Sequence, residues 1–158
     1  MSNLRELYQE VILDHNDNPR NFGECVGANR HAKGDNPLCG DKYVVEAKVD
    51  DDDTLSEVCF HGDGCAISKA AASMMTQHVK GLPVDEAEAL IEEFRGMLTG
   101  DIDPETDSEN LDHLKVFKSV STRPERIKCA VLAWHTLHAA LEGKDSISTE
   151  GDEDPVEA

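Results

Sequence analysis

Three cysteines and one aspartate, scattered along the chain, place the strongest constraint on how this sequence can fold. Cys39 and Asp41 share one Cys-Gly-Asp run, Cys65 follows a Gly-Asp-Gly turn, and Cys129 lies far downstream. No Cys-x-x-Cys pair is present, so a metal site could form only if the fold brings these side chains together. A carboxylate oxygen among thiolates holds a metal less softly than a fourth sulfur does. The donor set therefore predicts a four-coordinate metal site that is able to react.

The cysteine count favours free thiols over a disulfide framework. The chain has 5 cysteines, and its first residues carry no signal-peptide core, so metal binding or thiol chemistry is the better interpretation. Cys25 and Cys59 have no partner at ligand spacing and are interpreted as buried or incidental thiols. His61 lies four residues before Cys65 across a glycine turn and is an alternative ligand to Asp41.

The charge of the chain excludes several classes of partner. It carries 33 acidic against 15 basic residues, a formal net charge of −18, which argues against binding to nucleic acid or to an anionic membrane. An acidic surface of this size is typical of a salt-rich cytoplasm, where ions screen self-repulsion; an ordinary acidic surface is the alternative. No apolar run approaches the ~20 residues that span a bilayer. We expect a cytoplasmic, halophilic protein.

Hydrophobic periodicity predicts a short sheet. A first helix ends near His15, and alternation of apolar residues predicts strands over Tyr43 to Val49 and Leu55 to His61, paired as a hairpin. The segment from Gly27 to Asp35 is polar, with little periodicity, and is interpreted as an edge strand. Cys39 and Asp41 therefore lie in the loop that enters a strand.

Three further helices follow the hairpin. One begins at Cys65 and ends at Gly81 to Pro83, the next covers Val84 to Met97, and an acidic loop follows over Gly100 to Asn110. Thr122-Arg123-Pro124-Glu125 has the form of a capping box with proline in the first turn, which predicts the start of the last helix. We expect one domain over residues 1–143 and an acidic, disordered tail over 144–158.

Two of the cysteines have helical positions that favour metal binding. The start of a helix attracts negative charge, which stabilises a thiolate at Cys65. Cys129 lies off the apolar stripe of the last helix, so it is not ordinary core filler. Arg126 and Lys128 flank it and could offset the negative charge of three thiolates and a carboxylate, although surface cations of no special role are the alternative.

Several motifs then occur in order over residues 4 to 141. They are Leu7-Tyr8, Val11-Ile12-Leu13-Asp14-His15, Asn18-Pro19-Arg20-Asn21, Asn36-Pro37 with Cys39-Gly40-Asp41, Gly62-Asp63-Gly64-Cys65-Ala66-Ile67-Ser68, Ala72-Ser73-Met74-Met75-Thr76, Arg126-Ile127-Lys128-Cys129-Ala130 and Leu132-Ala133-Trp134-His135. In this order they resemble the SufU branch of the IscU/NifU-like iron–sulfur cluster assembly family. The long segment between the third helix and Arg126, and Lys128 where IscU-like scaffolds have histidine, favour that branch. Ser121 to Lys128 lacks their Leu-Pro-Pro-Val-Lys chaperone-binding motif, which argues against a dedicated chaperone partner.

The resemblance implies an α+β fold, with a small, mainly antiparallel three-stranded sheet and helices on one face. It implies that Cys39, Asp41, Cys65 and Cys129 are the metal ligands and that the metal is Zn²⁺. The implied activity is zinc-dependent sulfur transfer: the protein accepts persulfide sulfur from a SufS-like cysteine desulfurase and supplies downstream iron–sulfur assembly proteins. Cys39 is the expected sulfur acceptor, because its loop allows movement.

Two other functions stay open at this point. The same four residues could carry a transient [2Fe-2S] cluster on an assembly scaffold, since thiolates suit iron and one oxygen ligand would leave the cluster labile. A binding module with purely structural zinc is the third interpretation. We expect a monomer or a weak homo-oligomer in each case.

Overall fold

A computed structural model describes residues 2–103 and 111–148 of the chain. Four α-helices, four strands and one 3₁₀ helix are described, and their bounds in chain order are α1 Ser2–Asp17, β1 Arg30–Asn36, β2 Asp41–Val49, β3 Leu55–Asp63, α2 Ala66–Val79, α3 Val84–Thr99, the 3₁₀ helix Asp112–Thr122, α4 Pro124–Leu141 and β4 Ser146–Ser148. In this part of the chain, no helix is both long and apolar enough to cross a bilayer.

The strands form one sheet in the order β3-β2-β1-β4. The pairs β1–β2 and β2–β3 are antiparallel, whereas β4 runs parallel to β1. The register places Asn36 opposite Asp41, and Lys42 opposite Asp63, so the end of β1, the start of β2 and the end of β3 meet at one edge. The predicted α+β class, the mainly antiparallel sheet and the β2–β3 hairpin are confirmed.

The core lies between one face of the sheet and the helices. Alternate residues of β2, Tyr43, Val45 and Ala47, are buried, and α4 packs against both β1 and β2. Trp134 of α4 stacks on Phe94 of α3 at 4.3 Å between ring centroids. Because α4 also contacts α2 and the 3₁₀ helix, it is buried on most sides and is fixed relative to the sheet edge.

One local prediction, the capping box of the last helix, differs from the structure. Arg123, not Thr122, is the N-cap residue of α4 and it makes no side-chain cap hydrogen bond, so the predicted capping box is wrong, although Pro124 does occupy the first turn. Thr122 instead ends the 3₁₀ helix. Residues 104–110 of the predicted acidic loop lie outside the described part of the chain.

The sheet has a fourth strand that the sequence did not predict. Ser146–Ser148 was assigned to the acidic tail, and it pairs with β1 because Ile147 packs against Ala32 and against Ala139 and Ala140 of α4. A single apolar residue in a polar stretch supplies too weak a pattern to predict a strand. Residues 149–158, the rest of that tail, lie outside the described residues.

Cys25 and Cys59 form a disulfide, which corrects their interpretation as unpaired thiols. The loop before β1 brings Cys25 to the sheet, where its N–H donates to Glu46 Oε1 at 2.9 Å. Glu46 of β2 is the register partner of Cys59 on β3, so the loop places the two sulfurs side by side. The pairing depends on this long-range contact, and sequence spacing carries no signal for it.

The disulfide gives a prediction about stability. A Cys25→Ser/Cys59→Ser variant should lose about 3 to 4 kcal/mol of unfolding free energy, because the crosslink joins residues 34 apart and restricts the unfolded chain. Urea unfolding measures the loss. A reductant should bring the wild type to the level of the variant and leave the variant unchanged. Identical curves for all four samples would mean that the two sulfurs are not bonded.

Candidate metal centre

A tight loop between β1 and β2 carries the first two candidate ligands. The N–H groups of Cys39 and Gly40 both donate to the carbonyl of Asn36, at 3.2 and 2.9 Å. Gly40 adopts a φ of +75°, a left-handed conformation that glycine tolerates best. The loop leaves Cys39 exposed at its tip, whereas Asp41, at the start of β2, is fully buried.

Both oxygens of the Asp41 carboxylate accept hydrogen bonds. Oδ1 accepts from the backbone N–H of Cys65 at 3.0 Å, and Oδ2 accepts from Nδ2 of Asn36 at 3.1 Å. The carboxylate therefore connects β2 with the end of β1 and with the start of α2. Burying it without these donors would cost several kcal/mol, on the order of the penalty for an unpaired buried charge.

Cys65 is the N-cap residue of α2, as the Gly-Asp-Gly break predicted. Its Sγ accepts from the N–H of Ser68 at 3.4 Å, and the Ser68 hydroxyl donates to the carbonyl of Cys65 at 3.0 Å. The same hydroxyl lies 2.9 Å from Tyr43 Oη of β2. These contacts fix the first turn of α2 against the sheet edge that holds Asp41.

Cys129 supplies a third thiol from α4. It is 1 % exposed, so its position off the apolar stripe does not place it on the surface. The loop between β1 and β2, here called the ligand loop, and β1 itself cover α4 on that side. Its Sγ lies 3.6 Å from Cys39 Sγ, 3.8 Å from Asn36 Nδ2 and 3.6 Å from the carbonyl of Glu125. The thiol therefore faces the candidate site.

The arrangement fits a small thiophilic metal ion. One donor atom each from Cys39, Asp41 and Cys129 lies within 4.8 Å of the others. Sulfurs bound to one tetrahedral zinc at about 2.3 Å lie roughly 3.8 Å apart, close to the Cys39–Cys129 distance of 3.6 Å. Cys65 is not in that group of three, but its thiol interacts electrostatically with that of Cys129, so it is a candidate fourth donor.

The thiols share protons unequally. Interaction with the Cys129 thiol lowers the pKa of Cys65 to about 6, and the Ser68 N–H also lowers it, while burial opposes the shift. The same interaction, together with burial, raises the pKa of Cys129 far above its usual range. Cys65 is thus the thiol that most readily supplies a thiolate to a metal.

Arg126, Lys128 and His61 are the other residues for which the sequence suggested a part in the site. Arg126 and Lys128 are partly buried on the first turns of α4, and their effect on the site charge stays a prediction. His61 pairs in register with Val44, on the opposite face of the sheet from Asp41, so it is badly placed to replace that ligand. Asn36 had no predicted role. It could have been recognised as a polar residue at a strand position that continues the buried series Ala32 and Gly34.

A family model described as the NifU-like N terminal domain matches residues 7–100, which contain Cys39, Asp41 and Cys65. The chain belongs to this family.

Relatives of this NifU-like domain share most of its length. The chain is 40% identical over 140 residues to the zinc-dependent sulfurtransferase SufU of Bacillus subtilis, covering 89% of this chain and 92% of the relative. It is 36% identical over 141 residues to the iron–sulfur cluster assembly scaffold protein IscU of Streptococcus pyogenes, covering 89% and 86%. Among solved structures, the SUF-system protein FiSufU of Fervidobacterium islandicum AW-1 matches with a TM-score of 0.74 and 29% identity, covering 87% of this chain and 98% of that one.

Gly64 provides a steric test of the site. A Cβ there would lie 2.6 Å from Asp41 Oδ1, from Ser68 Oγ and from Tyr43 Oη. We expect Gly64→Ala to displace the carboxylate and to weaken Zn²⁺ binding by about tenfold or more, as measured by chelator competition. Gly96→Ala of α3, where a Cβ would meet only the side chain of Ile102, is the steric control and should leave zinc affinity unchanged. Equal zinc affinity in Gly64→Ala and wild type would show that Asp41 does not hold the metal.

The low pKa of Cys65 predicts a pH effect in metal-free protein. A thiol should ionise near pH 6, seen as thiolate absorbance in the ultraviolet. This pKa lies below the unfolded value of 9.0, so between pH 6 and pH 9 the unfolded chain binds more protons than the folded protein. The contribution of Cys65 to the free energy of unfolding is therefore complete above pH 9 and is lost as pH falls through about 6. Cys65→Ser should abolish the step and flatten this dependence. A step that persists in that variant belongs to another group.

Proposed function

We propose that this protein is a zinc-dependent sulfur-transfer protein of iron–sulfur cluster assembly, which accepts sulfur from the persulfide of a cysteine desulfurase on Cys39. The observation that carries the proposal is the asymmetry of the donor set. Cys39 is exposed on a loop, whereas Asp41 and Cys129 are buried and hydrogen-bonded to the protein. The relative named as a zinc-dependent sulfurtransferase, 40% identical to this chain, supports it.

In this proposal Cys39, Asp41, Cys65 and Cys129 hold the zinc ion. When bound, zinc would keep the coordinating thiols deprotonated at neutral pH and hold the ends of β1, β2, α2 and α4 together. The protein provides the rest: both Asp41 oxygens are hydrogen-bonded, and Cys65 is fixed at the N-terminus of α2. Cys39 is the donor with the least protein around it.

The transfer step needs no external oxidant, because the sulfur that moves is already part of a persulfide. The Cys39 thiolate attacks the outer sulfur of the desulfurase persulfide, a bond forms between Cys39 Sγ and that sulfur, and the sulfur–sulfur bond of the donor breaks. The desulfurase cysteine leaves as a thiolate. Such an attack requires the donor to approach in line, which exposure of Cys39 allows and burial of Cys129 prevents.

A scaffold role is the second candidate. It is favoured by relatives named as IscU scaffold proteins, such as that of Streptococcus pyogenes, and three thiolates suit a [2Fe-2S] cluster as well as zinc. The two functions make different demands on the same residues. A scaffold must hold two irons and inorganic sulfide, whereas a transfer protein needs one metal and one reactive thiol. A purely structural zinc site remains the third candidate, and in that case Cys39 would be needed for folding.

Metal analysis combined with a desulfurase assay separates the first two candidates. Protein purified in high salt should contain one equivalent of zinc and should raise the sulfide-producing turnover of a SufS-like cysteine desulfurase given cysteine. If the enzyme is unaffected while added iron and sulfide assemble a coloured cluster on the protein, the sulfur-transfer proposal is contradicted and the scaffold role is supported.

A Cys39 variant separates transfer from structural zinc. Cys39→Ala should fold, with a far-ultraviolet circular dichroism spectrum like that of wild type, but should no longer stimulate the desulfurase. The Cys25→Ser/Cys59→Ser variant is the matched control, because those sulfurs form a disulfide apart from the metal site; assayed at a temperature where its circular dichroism spectrum shows it folded, it should keep full stimulation. An unfolded Cys39→Ala protein would instead support a structural role for the metal.

A further inference from the structure

Asn36 contacts three of the four proposed ligands. Its side chain is fully buried at the end of β1, and Nδ2 lies 3.1 Å from Asp41 Oδ2 and 3.8 Å from Cys129 Sγ. Its carbonyl accepts the N–H of Cys39 and of Gly40, which shapes the loop that carries Cys39. A residue outside the donor set is therefore bonded to β2, to α4 and to the ligand loop at once.

We propose that Asn36 is a positioning residue, which fixes Asp41 and Cys129 as the immobile part of the metal site and so leaves Cys39 as the ligand that moves. This inference rests on the proposed zinc site and deepens it. Asn36 does not touch the transferred sulfur. It acts through the two side chains to which it donates and through the loop conformation that its carbonyl sets.

The chemistry of the amide suits this role. An asparagine side chain carries two N–H donors on one nitrogen, enough for the carboxylate and the thiolate together. Both acceptors are negatively charged when they bind a metal, and they repel each other in a buried setting. An uncharged donor between them reduces that repulsion without changing the net charge of the site. Aspartate would add a further negative charge here, and leucine would supply no donor.

The position in the strand makes the contact specific. Residues of β1 that face α4 are Ala32, Gly34 and Asn36, and the first two are small apolar residues. A fully buried amide at the third position must find hydrogen-bond partners, because an unpaired one costs about 1 to 3 kcal/mol. The partners that the structure gives to its Nδ2 are two proposed metal ligands.

The test compares Asn36→Leu and Asn36→Asp with a matched variant on the neighbouring helix. Thr136→Val removes a fully buried hydroxyl of α4 that donates to the carbonyl of Leu132, so it controls for the loss of a buried polar group. Zinc release to a chromophoric chelator should be about 10-fold to 100-fold faster in both Asn36 variants. The absorption bands of the Co²⁺-substituted variants should shift, since they report ligand geometry. Thr136→Val should match wild type in both measurements.

Wild-type protein gives a second measurement that does not depend on whether the variants fold. In protein loaded with cadmium-113, the Asn36 side-chain amide protons should show scalar coupling to the metal through the N–H···S bond to Cys129. Absence of that coupling, or wild-type zinc release and cobalt spectra in the Asn36 variants, overturns the assignment. If these metal measurements succeed but wild-type protein accepts no sulfur from a desulfurase, the positioning role stands and the proposed transfer function fails.

Discussion

The buried carboxylate of Asp41 is the interaction on which the site depends. It begins β2, accepts one hydrogen bond from the start of α2 and another from the end of β1, and is itself inaccessible to solvent. Three elements that are separate in sequence are therefore held in register by one negative charge. Gly64 is required beside it because any larger residue would displace the carboxylate. A metal ion bound here would find Asp41 already held in place by hydrogen bonds of the protein.

The candidate ligands differ in solvent exposure, and this difference decides which of them a sulfur donor can reach. Cys129 and Asp41 are enclosed, Cys65 is partly enclosed at a helix start, and Cys39 faces solvent. A structural metal site has no need of an exposed ligand, whereas a sulfur acceptor must be reached by its donor. All three thiols lie at the same edge of the sheet, so the exposed and the enclosed donors belong to one site.

Much of this could be predicted from the sequence where the signal is local. Alternation over Tyr43 to Val49 and the glycine break before Cys65 predicted the hairpin and the helix start, and both are present. Contacts that depend on distant parts of the chain could not be predicted. Ile147 packs on α4 beside β1, and Cys25 lies beside Cys59 where its N–H donates to Glu46. The inferred role of Asn36 likewise depends on its contact with Cys129 of α4, which is 93 residues away in the chain.

In the proposed function, the exposed ligand Cys39 accepts sulfur while the buried ligands keep the metal. Mass spectrometry of zinc-loaded protein after reaction with a cysteine desulfurase and cysteine tests this, with native spectra for metal content and peptide mapping for the added sulfur. We expect one additional sulfur atom, located on Cys39, in protein that retains its zinc. Sulfur on Cys65 or Cys129, or sulfur acceptance only after zinc is lost, would contradict it.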